Sequence, residues 1–180
     1  STAVSHGARK QAHRKQVAAA VGGKWGIVSH DGRQGMRDHA AQFSGAGIPF
    51  GCDPGQGRPM FDGEELRAFV TRAAWVAVND YEASLLSERT GWTAEAIAAR
   101  VQAFIVTRGA AGSWIYTNGQ RLEIPAARAT HLADPTGCGD AYRAGLLYGL
   151  QRGLDWPTTG RVASLAGAVK MEHHGTQQHS

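Results

Sequence analysis

Short apolar runs that alternate with longer helical segments are the feature that most restricts the fold of this chain. The apolar runs cover residues 25–29, 49–53, 75–79 and 104–107, and the helical segments cover residues 34–46, 64–73, 81–89 and 93–101. Strands that alternate with helices form parallel sheets through right-handed crossovers, and such sheets bind ligands at the carboxyl ends of their strands. The sequence therefore predicts an α/β fold with a mostly parallel sheet and a site at that edge.

The pattern changes after residue 107. Apolar runs at residues 112–116 and 121–125 are separated by a short polar segment that contains Asn118 and Gly119. An Asn-Gly pair between two such runs is a strong signal for a β-hairpin. Two further helices are expected at about residues 139–152 and 158–173, so a hairpin and a helical pair follow the parallel strands.

A glycine-rich segment precedes the first of these two helices. Residues 134–140 are Asp-Pro-Thr-Gly-Cys-Gly-Asp. Gly137 and Gly139 allow backbone N–H groups to crowd around an anion at the start of a helix, where the macrodipole also favours negative charge. Asp140 would repel that anion unless it has a chemical task, such as taking a proton from an attacking hydroxyl. The segment indicates phosphoryl transfer; the structural alternative is a loop-to-helix turn with an acid in its first helical turn.

This segment closely resembles the second signature of the ribokinase (PfkB) family of carbohydrate and nucleoside kinases, Asp-Thr-x-Gly-Ala-Gly-Asp. The resemblance implies a ribokinase-like three-layer α/β/α fold with a mostly parallel sheet and a C-terminal β-hairpin. It also implies that Asp140 is the catalytic base. The N–H groups of Gly137, Cys138 and Gly139 would then hold the moving phosphoryl group.

The same resemblance implies the reactants and the cofactors. ATP and Mg²⁺ are expected, together with a monovalent cation such as K⁺, which Asp134 and Thr136 would bind. The acceptor would be a hydroxyl of a sugar or nucleoside, ribose-like or adenosine-like, which receives the γ-phosphate of ATP. The surrounding sequence, including residues 51–57, is similar to that of adenosine-kinase-like bacterial members.

Two polar residues lie at the end of the third predicted strand. Asn79 ends that strand and Glu82 follows three residues later, so the two can form a reciprocal capping box at the start of the next helix. The pair also resembles the Asn-x-x-Glu motif of the kinase family, which implies that it arranges magnesium and nucleotide phosphate, largely through water. Because Mg²⁺ keeps several waters and takes few direct protein ligands, a sparse amide and carboxylate pair is chemically adequate. Both interpretations stay open at this point.

Further candidate nucleotide-binding residues follow the fourth predicted strand. The segment with Thr107, Gly109 and Gly112 resembles the Thr-x-Gly segment of the family, in which glycines admit nucleotide phosphates and the threonine hydroxyl donates a hydrogen bond. The alternative is a loop that needs positive φ angles. Residues 175–177, which begin with Gly175, resemble a family region near the adenine and the monovalent-cation loop.

The chain of 180 residues is considerably shorter than members of this family. The early diglycine motif, the lid strands and most acceptor-binding residues of the family are not recognisable. We therefore expect residues 25–180 to form a partial kinase domain, the nucleotide-binding and catalytic portion, with the N-terminal half and lid missing. Loss of the lid is expected to impair activity, because the lid holds the reactants in place and excludes water. Missing central strands expose sheet edges, so self-association is also expected. The alternative is a catalytically silent nucleotide-binding remnant or interaction module.

Charge and composition restrict the partners. Five of the 19 basic residues and none of the 15 acidic residues lie in residues 1–24, which we expect to form a poorly ordered or helical basic arm. A short basic arm on a nearly neutral body is usually a solvated tail, so nucleic acid is not expected as a partner. No apolar stretch is long enough to span a bilayer, and two cysteines are too few for a disulfide framework. These features predict a cytoplasmic protein that binds no membrane, and the family resemblance implies a small-molecule partner, a sugar or nucleoside.

Overall fold

The computed structural model of the protein describes residues 25–28, 32–45, 49–52, 61–128 and 137–172. The described strands are β1 (Gly26–Val28), β2 (Phe50–Cys52), β3 (Trp75–Asn79), β4 (Ala103–Thr107), β5 (Ser113–Thr117) and β6 (Gln120–Ile124). The described helices are α1 (Gly32–Gly45), α2 (Gly63–Arg72), α3 (Asp80–Thr90), α4 (Ala94–Ala98), α5 (Cys138–Gln151) and α6 (Trp156–Met171), and a short 3-10 helix covers Gly109–Ala111. The predicted basic arm at residues 1–24 lies outside the described residues.

The described strands form one mixed sheet in the order β1-β2-β3-β4-β5-β6. The first four strands pair in parallel, and β5 and β6 pair antiparallel to their neighbours. Because each parallel step crosses the sheet in the same direction and crossovers are right-handed, the helices that connect these strands are expected on one face. The predicted sheet and hairpin are confirmed, and Asn118 in the hairpin turn has a φ of +50°, which the Asn-Gly pair explains.

Side chains alternate along β3 between two apolar cores. Val76 and Val78 pack on one face with side chains of α1, α2, α3 and α4. Trp75 and Ala77 pack on the opposite face with side chains of α5 and α6. The sheet therefore lies between two layers of helices, and the predicted three-layer α/β/α arrangement is confirmed.

The α5 and α6 helices approach each other closely through small residues. A Cβ atom on Gly145 of α5 would lie 2.5 Å from the Cα atom of Ala163 of α6, so a larger residue would separate the helices. A Cβ atom on Gly160 would likewise lie 2.7 Å from Cδ1 of Ile115 in β5. These contacts hold the helical pair against the hairpin and so fix the start of α5 relative to the sheet. Within the described residues, no helix is long and apolar enough to span a membrane.

The start of α6 differs from the sequence prediction. The side chain of Asp155 caps the helix by accepting a hydrogen bond of 2.8 Å from the backbone N–H of Thr158. Pro157 lies in the first turn, where a backbone N–H would have no acceptor within the helix, so its absence in proline breaks no helical hydrogen bond. The helix therefore begins at Trp156, and the predicted start at residue 158 is wrong by two residues because the aspartate cap was overlooked.

Candidate active site

The glycine segment forms the N-terminus of α5. Gly137 is the N-cap residue with a φ of +82°, a left-handed conformation that glycine adopts without strain. The backbone N–H of Ala141 donates to the carbonyl of Gly137 at 2.9 Å, which is the first bond of the helix. The first N–H groups of an α-helix point out of its N-terminal end, and here they belong to Cys138, Gly139 and Asp140. Such a helix N-terminus is a candidate anion site.

Asp140 presents its carboxylate to solvent at this anion site. Its side chain is 88% exposed, and its Oδ1 atom lies 3.3 Å from Nη1 of Arg143, whose side chain is only 18% exposed. The carboxylate is therefore accessible to a ligand rather than enclosed in the core. This placement fits the predicted proton acceptor, and the role itself remains a prediction.

A cavity of about 470 Å³ opens beside the start of α5. It lies between the loop after β4, the segment after β6 and the helices α5 and α6. Three of the predicted site residues line it, namely Gly109, Gly112 and Cys138. The sequence did not single out the other lining residues, which are Ala110, Ala126, Ala127, Arg128, Tyr142, Ser164, Gly167, Ala168 and Met171. A cavity of this size, with mostly apolar walls next to an anion site, suits a nucleotide.

Hydrogen bonds between distant segments hold the cavity walls. Ser164 of α6 accepts from the backbone N–H of Ala127 at 2.8 Å, and its hydroxyl donates to the carbonyl of Pro125 at 3.1 Å. The hydroxyls of Tyr142 and Ser113 lie 2.7 Å apart on the opposite side. Burial raises the pKa of Tyr142 above its ordinary value of 10.0, and the Ser113 hydrogen bond opposes that shift. Sequence patterns could not reveal these residues, because the partners meet only in the folded chain.

The second predicted pair forms the capping box at the start of α3. The backbone N–H of Glu82 donates to Oδ1 of Asn79 at 2.8 Å, and the backbone N–H of Asn79 donates to Oε2 of Glu82 at 2.9 Å. The Glu82 side chain is buried, at 4% exposed. The structural interpretation of this pair is therefore confirmed, while its role with magnesium and nucleotide stays a prediction.

Asn79 also has a neighbour among the predicted nucleotide residues. It is in register with Thr107 at the carboxyl ends of the paired strands β3 and β4. The Thr107 hydroxyl lies 3.4 Å from the carbonyl of Val78, so it is held against β3. The structure thus places Asn79 and Thr107 side by side, outside the lining of the cavity that Gly109 and Gly112 share with Cys138.

Three predicted site residues lie outside the described residues. They are Asp134 and Thr136, predicted to bind a monovalent cation, and Gly175, predicted to lie near the adenine. In the part of the chain that the structure describes, no group of three His, Cys, Asp or Glu side chains could hold a metal ion.

Comparison with known families matches residues 39–180 to the pfkB family carbohydrate kinases. The chain belongs to this family. The resemblance inferred from the glycine segment is thereby confirmed, and the α5 N-terminus with Asp140 lies within the part of the chain that matches the pfkB family.

Individual pfkB family relatives are similar over part of their length. A nucleoside kinase of Methanocaldococcus jannaschii is 34% identical over 125 residues, which are 69% of this chain and 41% of that protein. The structure of Burkholderia thailandensis nucleoside kinase in complex with inosine has 50% identity and a TM-score of 0.89, over 93% of this chain and 55% of that one. Adenosine kinase of Sinorhizobium meliloti shares the fold, with 23% identity and a TM-score of 0.67. The chain spans about half the length of these three proteins.

Proposed function

We propose that this protein transfers the γ-phosphoryl group of ATP to a hydroxyl of a nucleoside or a sugar. The observation that carries the proposal is the anion site at the start of α5, with an accessible carboxylate at its rim and a nucleotide-sized cavity beside it. Relatives of the pfkB family that are named nucleoside kinases support a nucleoside acceptor. A purine nucleoside is the acceptor we favour, because one of these relatives was solved with inosine.

Asp140 acts as the general base in this proposal. It takes the proton from the acceptor hydroxyl as that oxygen attacks the terminal phosphorus, and a well-placed acceptor of this kind contributes about 10²-fold to 10⁴-fold to the rate. The N–H groups of Gly137, Cys138 and Gly139 hold the charge that develops on the phosphoryl oxygens. Each such donor contributes about 3 kcal/mol in comparable sites.

The apolar cavity accepts the adenosine portion of ATP. Gly109 and Gly112, in the loop after β4, line the cavity without adding a side chain to it, and Thr107 lies at the end of β4. Gly175 would complete this region from the segment after α6. A nucleoside-sized ligand fits a volume of about 470 Å³, while its phosphates extend toward the helix N-terminus.

Magnesium would be held near Asn79 and Glu82 through water. Oδ1 of Asn79 and Oε2 of Glu82 already accept hydrogen bonds in the capping box. Direct coordination of magnesium by these two atoms would therefore compete with those hydrogen bonds. Since Mg²⁺ usually keeps several of its waters, the pair fits an outer-sphere role. When bound, the ion neutralises charge on the nucleotide phosphates. Asp134 and Thr136 remain our candidates for a monovalent cation such as K⁺.

An acceptor-dependent ADP-release assay tests the proposal. The unchanged protein, given ATP and magnesium, should release ADP in the presence of inosine, adenosine or ribose, and the Asp140→Asn variant should lose at least about 10²-fold of that rate. Glu64→Gln is the matched control, because Glu64 is an exposed acid in the first turn of α2, outside the site. Equal turnover by Asp140→Asn and Glu64→Gln would remove Asp140 from its assigned role.

A second candidate function is nucleotide binding without catalysis. The observation that favours it is length, because the chain covers 55% of the Burkholderia thailandensis nucleoside kinase structure that it resembles. This candidate predicts saturable ATP binding by calorimetry with no ADP release that depends on an acceptor. It is rejected if the chain binds no nucleotide at millimolar concentration, or if an acceptor stimulates turnover.

Self-association is the partner interaction that we propose beside the small-molecule acceptor. Among the described strands, β1 is paired on one side only, with β2, and an unpaired strand edge can accept another strand. Analytical ultracentrifugation at several protein concentrations should show association that increases with concentration. A single monomeric species over the whole range would contradict this proposal.

A further inference from the structure

Arg143 lies one turn into α5, directly against the anion site. Its side chain is 18% exposed although it carries a full charge. A Cβ atom on Gly139 would lie 3.1 Å from Nη1 of Arg143, so the guanidinium packs against the backbone of the glycine turn. The same Nη1 atom lies 3.3 Å from Oδ1 of Asp140. The positive group therefore contacts both the turn that would hold the phosphate and the carboxylate beside it.

The site has an electrostatic conflict that such a group can relieve. A carboxylate at the rim of an anion site repels the terminal phosphate of a nucleotide, and the repulsion grows when a ligand excludes water. An ion pair with one highly exposed partner adds little to folding stability, because solvent screens it. The pair of Asp140 and Arg143 therefore contributes little to the stability of the fold.

We propose that Arg143 is a positioning residue that holds the Asp140 carboxylate and offsets its charge, so that a terminal phosphate can bind next to the base. This inference rests on the proposed function. It requires Arg143 to favour nucleotides with a γ-phosphate over those without one, and to do so only while Asp140 carries its negative charge. The alternative is an ordinary pair at spacing i,i+3 on a helix surface, which has no consequence for ligands.

A double-mutant cycle in nucleotide affinity tests the proposal without requiring turnover. Isothermal titration calorimetry with ATP and with ADP, each in the presence of magnesium, is applied to Arg143→Gln, Asp140→Asn and the double variant. Arg143→Gln should weaken ATP binding about fivefold to tenfold and ADP binding less than about twofold, since ADP lacks the phosphate next to Asp140. The double variant should bind ATP within about twofold of Asp140→Asn.

Two further variants separate charge from structure. Arg143→Lys keeps the positive charge and should bind ATP within about threefold of the unchanged protein. Arg152→Gln is the matched control, because Arg152 follows the opposite end of α5 and lies over the Tyr148 ring, with 5.1 Å from its Cζ to the ring centroid. Arg152→Gln should leave the affinities for ATP and for ADP unchanged.

Several results would overturn the proposal. Equal weakening of ATP and ADP by Arg143→Gln, or a loss that persists in full when Asp140 is already Asn, would show that Arg143 acts through the fold and not through the carboxylate. Failure of the proposed function would be recognised in a separate experiment, in which the Asp140→Asn substitution leaves the rate of ADP release unchanged. Absence of any nucleotide binding by the unchanged protein would overturn both.

Discussion

The loop after β4 provides a sharp test of how the cavity is built. Gly112 has φ +83° and ψ −140°, a conformation that is nearly restricted to glycine. A Cβ atom there would overlap the carbonyl oxygen of Ile124 and lie 2.9 Å from the backbone nitrogen of Ala126. Gly109, three residues earlier, has a φ of +56°, and a Cβ atom there meets nothing within 4 Å. An alanine at Gly109 would therefore introduce backbone strain alone, whereas an alanine at Gly112 would introduce backbone strain and steric overlap.

The expected cost of alanine differs between these positions. At Gly109, left-handed strain of about 1–2 kcal/mol is partly offset by about 0.4–1 kcal/mol from the less flexible unfolded chain, which leaves a loss of about 1 kcal/mol. At Gly112, backbone strain of about 1–3 kcal/mol adds to an overlap with rigid backbone of about 1–3 kcal/mol, and the same offset from the unfolded chain applies. Because that offset cancels between the two variants, Gly112→Ala should lower the free energy of unfolding by about 2.5 kcal/mol more than Gly109→Ala.

Urea unfolding followed by tryptophan fluorescence measures this difference. With a slope of about 2 kcal/mol per molar urea, the midpoint of Gly112→Ala should lie about 1.2 M below that of Gly109→Ala. Because Ala126 lines the cavity, Gly112→Ala should also weaken ATP binding. Equal midpoints for the two variants would refute the contact between Gly112 and the segment after β6.

Three further predictions concern caps and buried hydroxyls. Hydrogen bonds from Thr158 lower the pKa of Asp155 below 3.8, so the stability that its charge adds is present above that value and is lost as the pH falls through the lowered pKa. The unfolding midpoints of Asp155→Asn and the unchanged protein should therefore converge as the pH is lowered below 3.8. Burial raises the pKa of Tyr142 above 10.0, so stability is lost as the pH rises past that value. Tyr142→Phe, which loses the Ser113 hydrogen bond at neutral pH, should show a smaller further loss at about pH 11 in thermal unfolding. Asn79→Ala removes the α3 cap and should lower the free energy of unfolding by about 1 kcal/mol in urea titration, and an unchanged midpoint would contradict the cap.

Local chemistry explains what the sequence could predict about the fold. The Asn118 turn and the strand alternation follow from short-range preferences, so the hairpin and the parallel strands were predicted close to their observed bounds. The start of α5 could also be predicted from neighbouring residues, because a glycine such as Gly137 readily takes the left-handed conformation of its N-cap. The overlooked Asp155 cap was also a local signal, and it could have been found from an aspartate followed by proline two residues later.

The side chains that form the cavity walls could not be predicted from local sequence. Ser164 and Ala127 are 37 residues apart in sequence, and their hydrogen bond exists only because α6 packs against the hairpin. Tyr142 meets Ser113 for the same reason, across 29 residues. A pattern within one segment carries no information on such pairings. The sequence therefore predicted Gly109, Gly112 and Cys138, which line the cavity, but not the side chains that complete it.

The central claim is that the N-terminus of α5 holds the terminal phosphate of ATP while Asp140 takes the proton of the acceptor. The most direct measurement is the transfer of label from γ-³²P-ATP to inosine or adenosine by the unchanged protein and by Asp140→Asn, with ATP affinity measured on the same samples. We predict labelled nucleoside monophosphate from the unchanged protein, and a rate at least about 10²-fold lower from Asp140→Asn although ATP still binds. Transfer at the same rate by both proteins would contradict the claim.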